Sequence, residues 1–373
     1  MTPLPSEAHP AGPATVRRHN RGLVLTAVAG APASRAAVAA HTGLTRGTVS
    51  SLVDDLLADG MLVEREAPRG GRGRPANPLQ LNPSGPCGVG VEIGVDDVGA
   101  CVADLTGTVR AVRRVPSDHR RHDPAHGLRR AADIVRDVVA EAGLPVAGVR
   151  VALPGVVTPD GVLQRAPNLP RWQDVGVAEL FGSLVEAPVS ATNEADLAAL
   201  AELWDGQALR DMLFVSGGVG VGAGIVLDGR LFHGAGGRAG ELGHVVVDPG
   251  GRACTCGGTG CLETVAGVTA LLRAAGAADV DELVREPGAA LDVAADALGV
   301  ALAGAVNLLD LPAVVLGGVY ARLGDALVER VGAALRARVL ARPPVRVLRA
   351  AVARDAALRG AAIGVVRELV GAP

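Results

Sequence analysis

Gly240-Glu-Leu-Gly-His244, followed after nine residues by Cys254-Thr-Cys-Gly-Gly-Thr-Gly-Cys-Leu-Glu263, is the stretch on which the reading of this chain turns. His244, Cys254, Cys256 and Cys261 have the spacing H-x9-C-x-C-x4-C. Three thiolates and one imidazole satisfy a tetrahedral Zn²⁺, and the glycines among them let the backbone turn tightly enough for all four to converge. A disulfide is a poor alternative, because a C-x-C pair closes an awkward ring. Four protein ligands leave no open coordination position, so one structural zinc per chain is expected. Cys87 and Cys101 stand alone, which argues against a disulfide scaffold.

Upstream of this cluster, Met212–Val215 reads as a strand running into Ser216-Gly-Gly-Val-Gly-Val-Gly-Ala-Gly224. Such a loop can cradle a phosphate, but glycine-rich hairpins share its composition. Further out, Gly88–Gly94 and Gly99–Asp104 read as a hairpin, Pro124–Ala142 as a long helix and Val149–Leu153 as a strand. After an irregular segment come a helix at Leu197–Trp204, a buried strand at Ala313–Leu316 and a last helix at about Asp355–Val370. Alternating strands and helices on this scale imply an α/β body.

The N-terminal part has a different pattern. Residues 1–15 carry four prolines among small residues and are expected to form a disordered leader. Ser34–Leu56 gives two short helices separated by Gly43, a helix-turn-helix spacing. Thr45 can cap the second helix, and Val49, Leu52, Val53 and Leu56 fall on one buried stripe. Thr45, Arg46, Thr48, Ser50 and Ser51 then stand at the exposed start of that helix, where such residues meet base edges or phosphates in a major groove. Met61-Leu-Val-Glu-Arg65, a Gly/Arg loop holding Arg72 and Arg74, and Leu79-Gln-Leu81 read as strand, basic loop, strand. That is a wing, whose arginines can follow phosphates or enter a narrow minor groove.

Composition agrees with a DNA-binding end on a globular body. Of 373 residues 49% are hydrophobic and 2% aromatic, so the core is built mainly from Ala, Val and Leu. Residues 1–80 carry net charge +3 and residues 81–373 net −6, and every cation other than histidine is Arg. A basic end on an acidic body points to a nucleic-acid partner. The uncharged stretch Met212–Leu227 has 16 residues, five of them glycine, short of a membrane span. No basic-then-apolar signal pattern opens the chain, so a cytoplasmic protein without a membrane partner is expected.

Taken together, the glycine loop, Gly229-Arg-Leu231, Gly240–His244 and the cysteine motif closely resemble the ROK family (repressors, open reading frames, kinases). The resemblance runs from about Gly88 to the C-terminus. It includes Asn168-Leu-Pro-Arg-Trp172, Asn193-Glu-Ala195, Leu316-Gly-Gly318 and Asp355-Ala-Ala-Leu-Arg-Gly360. The winged helix in front resembles the family's repressor branch, and the Asn193-Glu194 pair is similar to that of xylose-operon repressors. This resemblance implies a two-lobed, actin-like ATPase (ribonuclease H-like) fold with a monosaccharide in its cleft. The domains expected are a winged helix-turn-helix at 16–82, a first lobe at 83–192 to which helix 355–371 returns, and a second lobe with the zinc loop at 193–354. The sugar-contacting positions it implies are Asn193, Glu194, Glu241, His244 and Glu263, with Asn168 at the cleft edge. His244 would face zinc with one ring nitrogen and sugar with the other.

Sugar kinases of the family open with Asp-x-Gly-Gly-Thr after the first strand. Here the stretch reads Glu92-Ile-Gly-Val-Asp96, with a bulky Val95 and a negative Asp96 where phosphates would approach. The kinase Asn-Asp pair, whose Asp acts as general base, is Asn193-Glu194 here, one methylene longer. The expectation is therefore a sugar-responsive repressor without kinase activity and with no catalytic residue. It would act as a homodimer or homotetramer on a double-stranded operator. Two alternatives stay open: a sugar kinase with an attached DNA-binding domain, and a regulator whose pocket docks a protein.

Overall fold

The computed structural model describes residues 12–65, 77–340, 344–352 and 355–371. Contacts divide the chain into two units, one holding the N-terminal segment to Cys87 and the other almost everything from Gly88 to Val365.

The N-terminal unit is a winged helix. Helix α1 (Pro13–Gly30) precedes α2 (Arg35–Thr42) and α3 (Arg46–Ala58), and a two-stranded antiparallel sheet follows, β1 (Leu62–Glu64) with β2 (Leu79–Leu81). Helix α1 begins inside the stretch expected to be an unstructured leader, which corrects that boundary for residues 13–15. Pro13 occupies the first helical turn, where a missing N–H costs nothing, so the prolines do not forbid a helix there. Gly43 ends α2 at φ 72, and Thr45 caps α3, its hydroxyl accepting from the Thr48 amide at 3.2 Å. Val49, Leu52, Val53 and Leu56 are all at most 2% exposed, so the stripe read from the sequence is the core of this unit. Leu79 also bridges to Ala33, tying the wing to the helix-turn-helix. The wing tip with Arg72 and Arg74 lies outside the described residues.

The larger unit is built on two five-stranded sheets. The first uses β3 (Cys87–Ile93), β4 (Asp97–Ala103), β5 (Val109–Pro116), β6 (Val146–Leu153) and β10 (Val189–Asn193), in the order β10-β6-β3-β4-β5. Helix α4 (Pro124–Ala142), capped by Asp123, packs on it. The irregular segment of the sequence is a small sheet of its own, β7 (Val156–Val157), β8 (Val162–Arg165) and β9 (Gln173–Gly176), before α5 (Val177–Val185). Helix α6 (Glu194–Asp205) leads to the second sheet, made of β11 (Met212–Gly217), β12 (Val221–Leu227), β13 (Arg230–Leu231), β14 (Ala313–Gly318) and β15 (Arg346–Arg349). Its order is β13-β12-β11-β14-β15.

Between β13 and β14 run α7 (Glu263–Ala266), α8 (Val268–Ala275), α9 (Val280–Arg285) and α10 (Ala290–Leu309). Helices α11 (Val319–Arg322) and α12 (Asp325–Arg336) follow β14, and α13 (Ala356–Val370) ends the chain. By length and composition α10 could cross a bilayer, but 11 of its residues are buried, all but Gly299 in one core cluster, which explains its apolarity. A second cluster joins Ala152 of β6, Leu197 to Ala199 of α6, Phe214 of β11 and Ala361 of α13. Helix α13 returns to the first sheet, where the Cys101 thiol donates to the Leu358 carbonyl at 3.3 Å.

Candidate functional site

Strand ends and loops from both sheets open onto one cavity of about 420 Å³, a size suited to a small ligand. Its lining includes Glu92 of β3, Gly94 to Asp97 after that strand, Asn168, Asn193 and Glu194, the β11–β12 turn, Glu241, His244, Glu263 and Asp355. All six positions expected to contact a sugar are thus brought to one cavity.

Their local roles differ. Asn193 ends β10 and caps α6, its Oδ1 accepting from the amides of Ala195 (2.7 Å) and Asp196 (3.3 Å). Its Nδ2 donates to the Gly155 carbonyl at 2.8 Å, so the side chain first fixes the helix start and has one N–H left to offer. Glu263 opens α7 and ties two loops together. Its Oε1 accepts from Asn168 Nδ2 (3.4 Å) and its Oε2 from the Val221 amide (3.2 Å). The glycine-rich stretch is a tight hairpin between β11 and β12, closed by the Gly218 amide on the Gly220 carbonyl. A Cβ at Gly220 would fall 2.1 Å from Glu263 Oε2, so any other residue there would displace that carboxylate from its place.

Glu194, at the first position of α6, turns its carboxylate to the cavity and has no hydrogen-bond or ion-pair partner among the described residues. Burial, together with the charges of Glu92 and Asp97, pushes its carboxyl up to about 8. Burial also raises Glu241, which the His244 ring partly offsets; His244 Nε2 lies 3.8 Å from Glu241 Oε2.

The other ring nitrogen of His244 belongs to the cysteine cluster. One ligand atom each from His244, Cys254, Cys256 and Cys261 lies within 4.8 Å of all the others. His244 Nδ1 is 3.8 Å from Cys254 Sγ, and Cys256 Sγ is 3.7 Å from Cys261 Sγ. Tetrahedral Zn²⁺ with Zn–S bonds of about 2.3 Å separates its sulfurs by about 3.8 Å, so the donor set and its spacing fit zinc. The loop closes through two short bridges, Val246 with Cys261 and Ala253 with Thr259. Arg165 of β8 donates to the Cys256 carbonyl at 2.6 Å, joining the small sheet to this loop.

Arg114 of β5 is a residue of the site that the sequence did not disclose. Its three guanidinium nitrogens bind three carboxylates: Nη2 to Glu92 at 2.7 Å, Nη1 to Asp97 at 2.8 Å and Nε to Asp355 at 3.0 Å. Burial works against its charge, but the three carboxylates hold it well above its ordinary range. Asp355 lies 241 residues from Arg114 and sits at φ 54, a left-handed conformation that Asp adopts more readily than most side chains. Arg114, Glu92, Asp97 and Asp355 thus form an ion cluster that lines the cavity beside the turn at Gly94–Asp96. Asp96, next in the turn, pairs with Arg120.

In the winged helix, Arg46 and Ser51 are exposed and Ser50 is half-buried at the start of α3. The hydroxyls of Thr45 and Thr48 meet at 2.9 Å, so these two are committed first to the helix cap.

Comparison with known proteins matches residues 88–368 to the ROK family model and residues 19–73 to a MarR family model. A xylose repressor of Caldicellulosiruptor bescii is 29% identical over 328 residues, covering 80% of this chain and 82% of the relative. A solved ROK family transcriptional regulator, a homolog of the E. coli MLC protein, superimposes with a TM-score of 0.80 at 23% identity, covering 95% of this chain and 96% of that one. A ROK family glucokinase from Streptomyces griseus, solved with glucose and AMPPNP, gives a TM-score of 0.66 at 27% identity over 74% of this chain and 98% of the enzyme.

Proposed function

The chain belongs to the ROK family, and from that membership we propose that it is a sugar-responsive transcriptional regulator, a repressor that a monosaccharide releases from its operator. The observation that carries this reading is the presence in one chain of a winged helix and a sugar-type cavity in which Arg114 is held by Glu92, Asp97 and Asp355 beside the phosphate turn. A xylose repressor aligned over most of both chains supports the same assignment.

In this reading Asn168, Glu241, His244 and Glu263 take up hydroxyl groups at one end of the cavity, Glu194 stands at the other, and Asn193 holds the start of α6 with its spare N–H available. A site of this kind discriminates between sugars, because a missing hydroxyl leaves a buried polar group unpaired. Zinc would be held by His244, Cys254, Cys256 and Cys261. When bound it supplies a structural cross-link that fixes the His244 ring beside Glu241. Arg46, Ser50 and Ser51 of α3, with Thr45 and Thr48 at its cap and Arg72 and Arg74 of the wing, face operator DNA. Palindromic half-sites call for a homodimer or homotetramer. Work on DNA with reduced cysteines assigns the protein to the cytoplasm.

No residue is assigned to catalysis. Glu92-Ile-Gly-Val-Asp96 puts a bulky Val95 and a negative Asp96 where phosphates would approach, and Glu194 takes the place of the catalytic Asp. The sugar can act only through a difference in affinity between DNA-bound and free forms. Titrating operator fragments with a monosaccharide panel, with and without ATP–Mg²⁺, tests the assignment. Release by one sugar independently of ATP is expected, and sugar-dependent ADP formation at a rate ordinary for a kinase would overturn it.

A further inference from the structure

The cavity's charge is lopsided, and Glu194 is where the imbalance is unrelieved. Glu194 is half-buried and lines the cavity. It has no donor of its own, and the charges nearest to it, on Glu92 and Asp97, are negative. The one cation that it feels, Arg114, is held by Glu92, Asp97 and Asp355 through all three of its nitrogens. Arg120, beyond the turn, is paired with Asp96 and Asp118. At the other end, both Glu263 oxygens accept hydrogen bonds from the protein, and Glu241 has only the His244 ring near it. Among the described residues, every other carboxylate lining this cavity has a hydrogen-bond donor or a basic side chain within 4 Å, and Glu194 has none.

A neutral polyol can donate hydroxyls to Glu194 but brings no charge to balance it. An ammonium group does both, and such a pair forms charge-assisted hydrogen bonds about twice as strong as neutral ones. We propose that the effector is a cationic amino sugar, its ammonium group paired with Glu194 at the turn end of the cavity and its hydroxyls at the Asn168–Glu241–His244–Glu263 end. This inference rests on the reading of the cavity as the effector site. The raised affinity of Glu194 for its proton has the same cause, buried negative charge without a counter-ion, and a bound ammonium reverses it.

The test uses the full-length protein and three probes, glucosamine, 3-amino-3-deoxyglucose and 6-amino-6-deoxyglucose, each against glucose by calorimetric titration at pH 6.5. At least one amino sugar is expected to bind tenfold or more tighter than glucose, and Glu194→Gln to reduce that preference below twofold. A measurement on the unaltered protein stands beside the variant. Repeating the titration in buffers of different ionisation enthalpy should show release of about one proton with the amino sugar, as Glu194 ionises against it. The proposal is overturned if no amino sugar surpasses glucose tenfold, if the preference survives in Glu194→Gln, or if binding releases no proton. Should a neutral sugar nonetheless release operator DNA, the repressor reading stands and only the charge of the effector is wrong. Should no sugar of either kind bind, both fail.

Discussion

Arg114 keeps three carboxylates close together, so its removal sets Glu92, Asp97 and Asp355 against one another. Its side chain is 29% exposed and theirs 15%, 36% and 23%, so the cost lies below that of a wholly buried pair, about 2–3 kcal/mol. Urea unfolding of Arg114→Ala should show this loss at pH 8 and a smaller one at pH 5, where protonation relieves the repulsion. Glu194 has the opposite linkage to a salt-bridged acid. Its carboxyl is raised to about 8 in the fold from an ordinary 4.5, so the stability it permits is full below pH 4.5 and is lost as pH rises towards 8. One proton bound in the native state and not in the unfolded state corresponds to roughly 2 kcal/mol lost between pH 6 and 8. Glu194→Gln removes that slope, and thermal unfolding at the two pH values should show the variant's stability relative to the parent rising by roughly 2 kcal/mol from pH 6 to pH 8. Residues with local partners could be read from the chain: Thr45 caps α3 because Thr48 is three residues away, and the metal donors lie within 18 residues. Arg114 could not, because its decisive partner Asp355 is 241 residues distant and its own strand offers no motif.

At the level of elements, punctuation decided what was readable. Asp123, Pro124 and Gly143 bracket α4, and its observed span, Pro124–Ala142, matches the one expected. Helix α1 was obscured because Pro13 and its proline-rich surroundings resemble a tail, although proline suits a first turn. The small sheet β7-β8-β9 was obscured for another reason: strands of two to four residues are too short to show a period of two. Two predictions belong here. Thr45→Ala removes the α3 cap and should cost the winged helix about 1 kcal/mol, readable as a lower unfolding midpoint. Replacing Cys254, Cys256 or Cys261 by Ser should lower zinc content, measured by elemental analysis, and weaken effector binding in parallel, because the loop they close carries His244 and leads into Glu263.

For the molecule as a whole, the two sheets repeat one plan. In each, three antiparallel strands in sequence form one side, and the two later strands are added beside the first: β5-β4-β3-β6-β10 and β13-β12-β11-β14-β15. No residue pattern announces this duplication, since apolar strands of the same length can carry different sequences and loops. The DNA-binding prediction belongs to this scale too. Operator affinity should fall steeply between 50 and 200 mM salt, by about 10³-fold or more if six or more phosphates are contacted, and Arg72→Ala or Arg74→Ala should flatten that slope across all sequences. A fragment beginning at Pro83 that bound operator as well as the full chain would contradict it. The return of α13 to the first sheet affects how the protein is made. The residues that cover strands begun at Cys87 follow about 270 residues later in the chain, so the sheet waits through the synthesis of that whole length with an apolar face uncovered. A message cut short just before Ala356 yields a chain with both sheets encoded and neither finished, a natural target for chaperones and proteases. Only complete copies would then accumulate to occupy an operator.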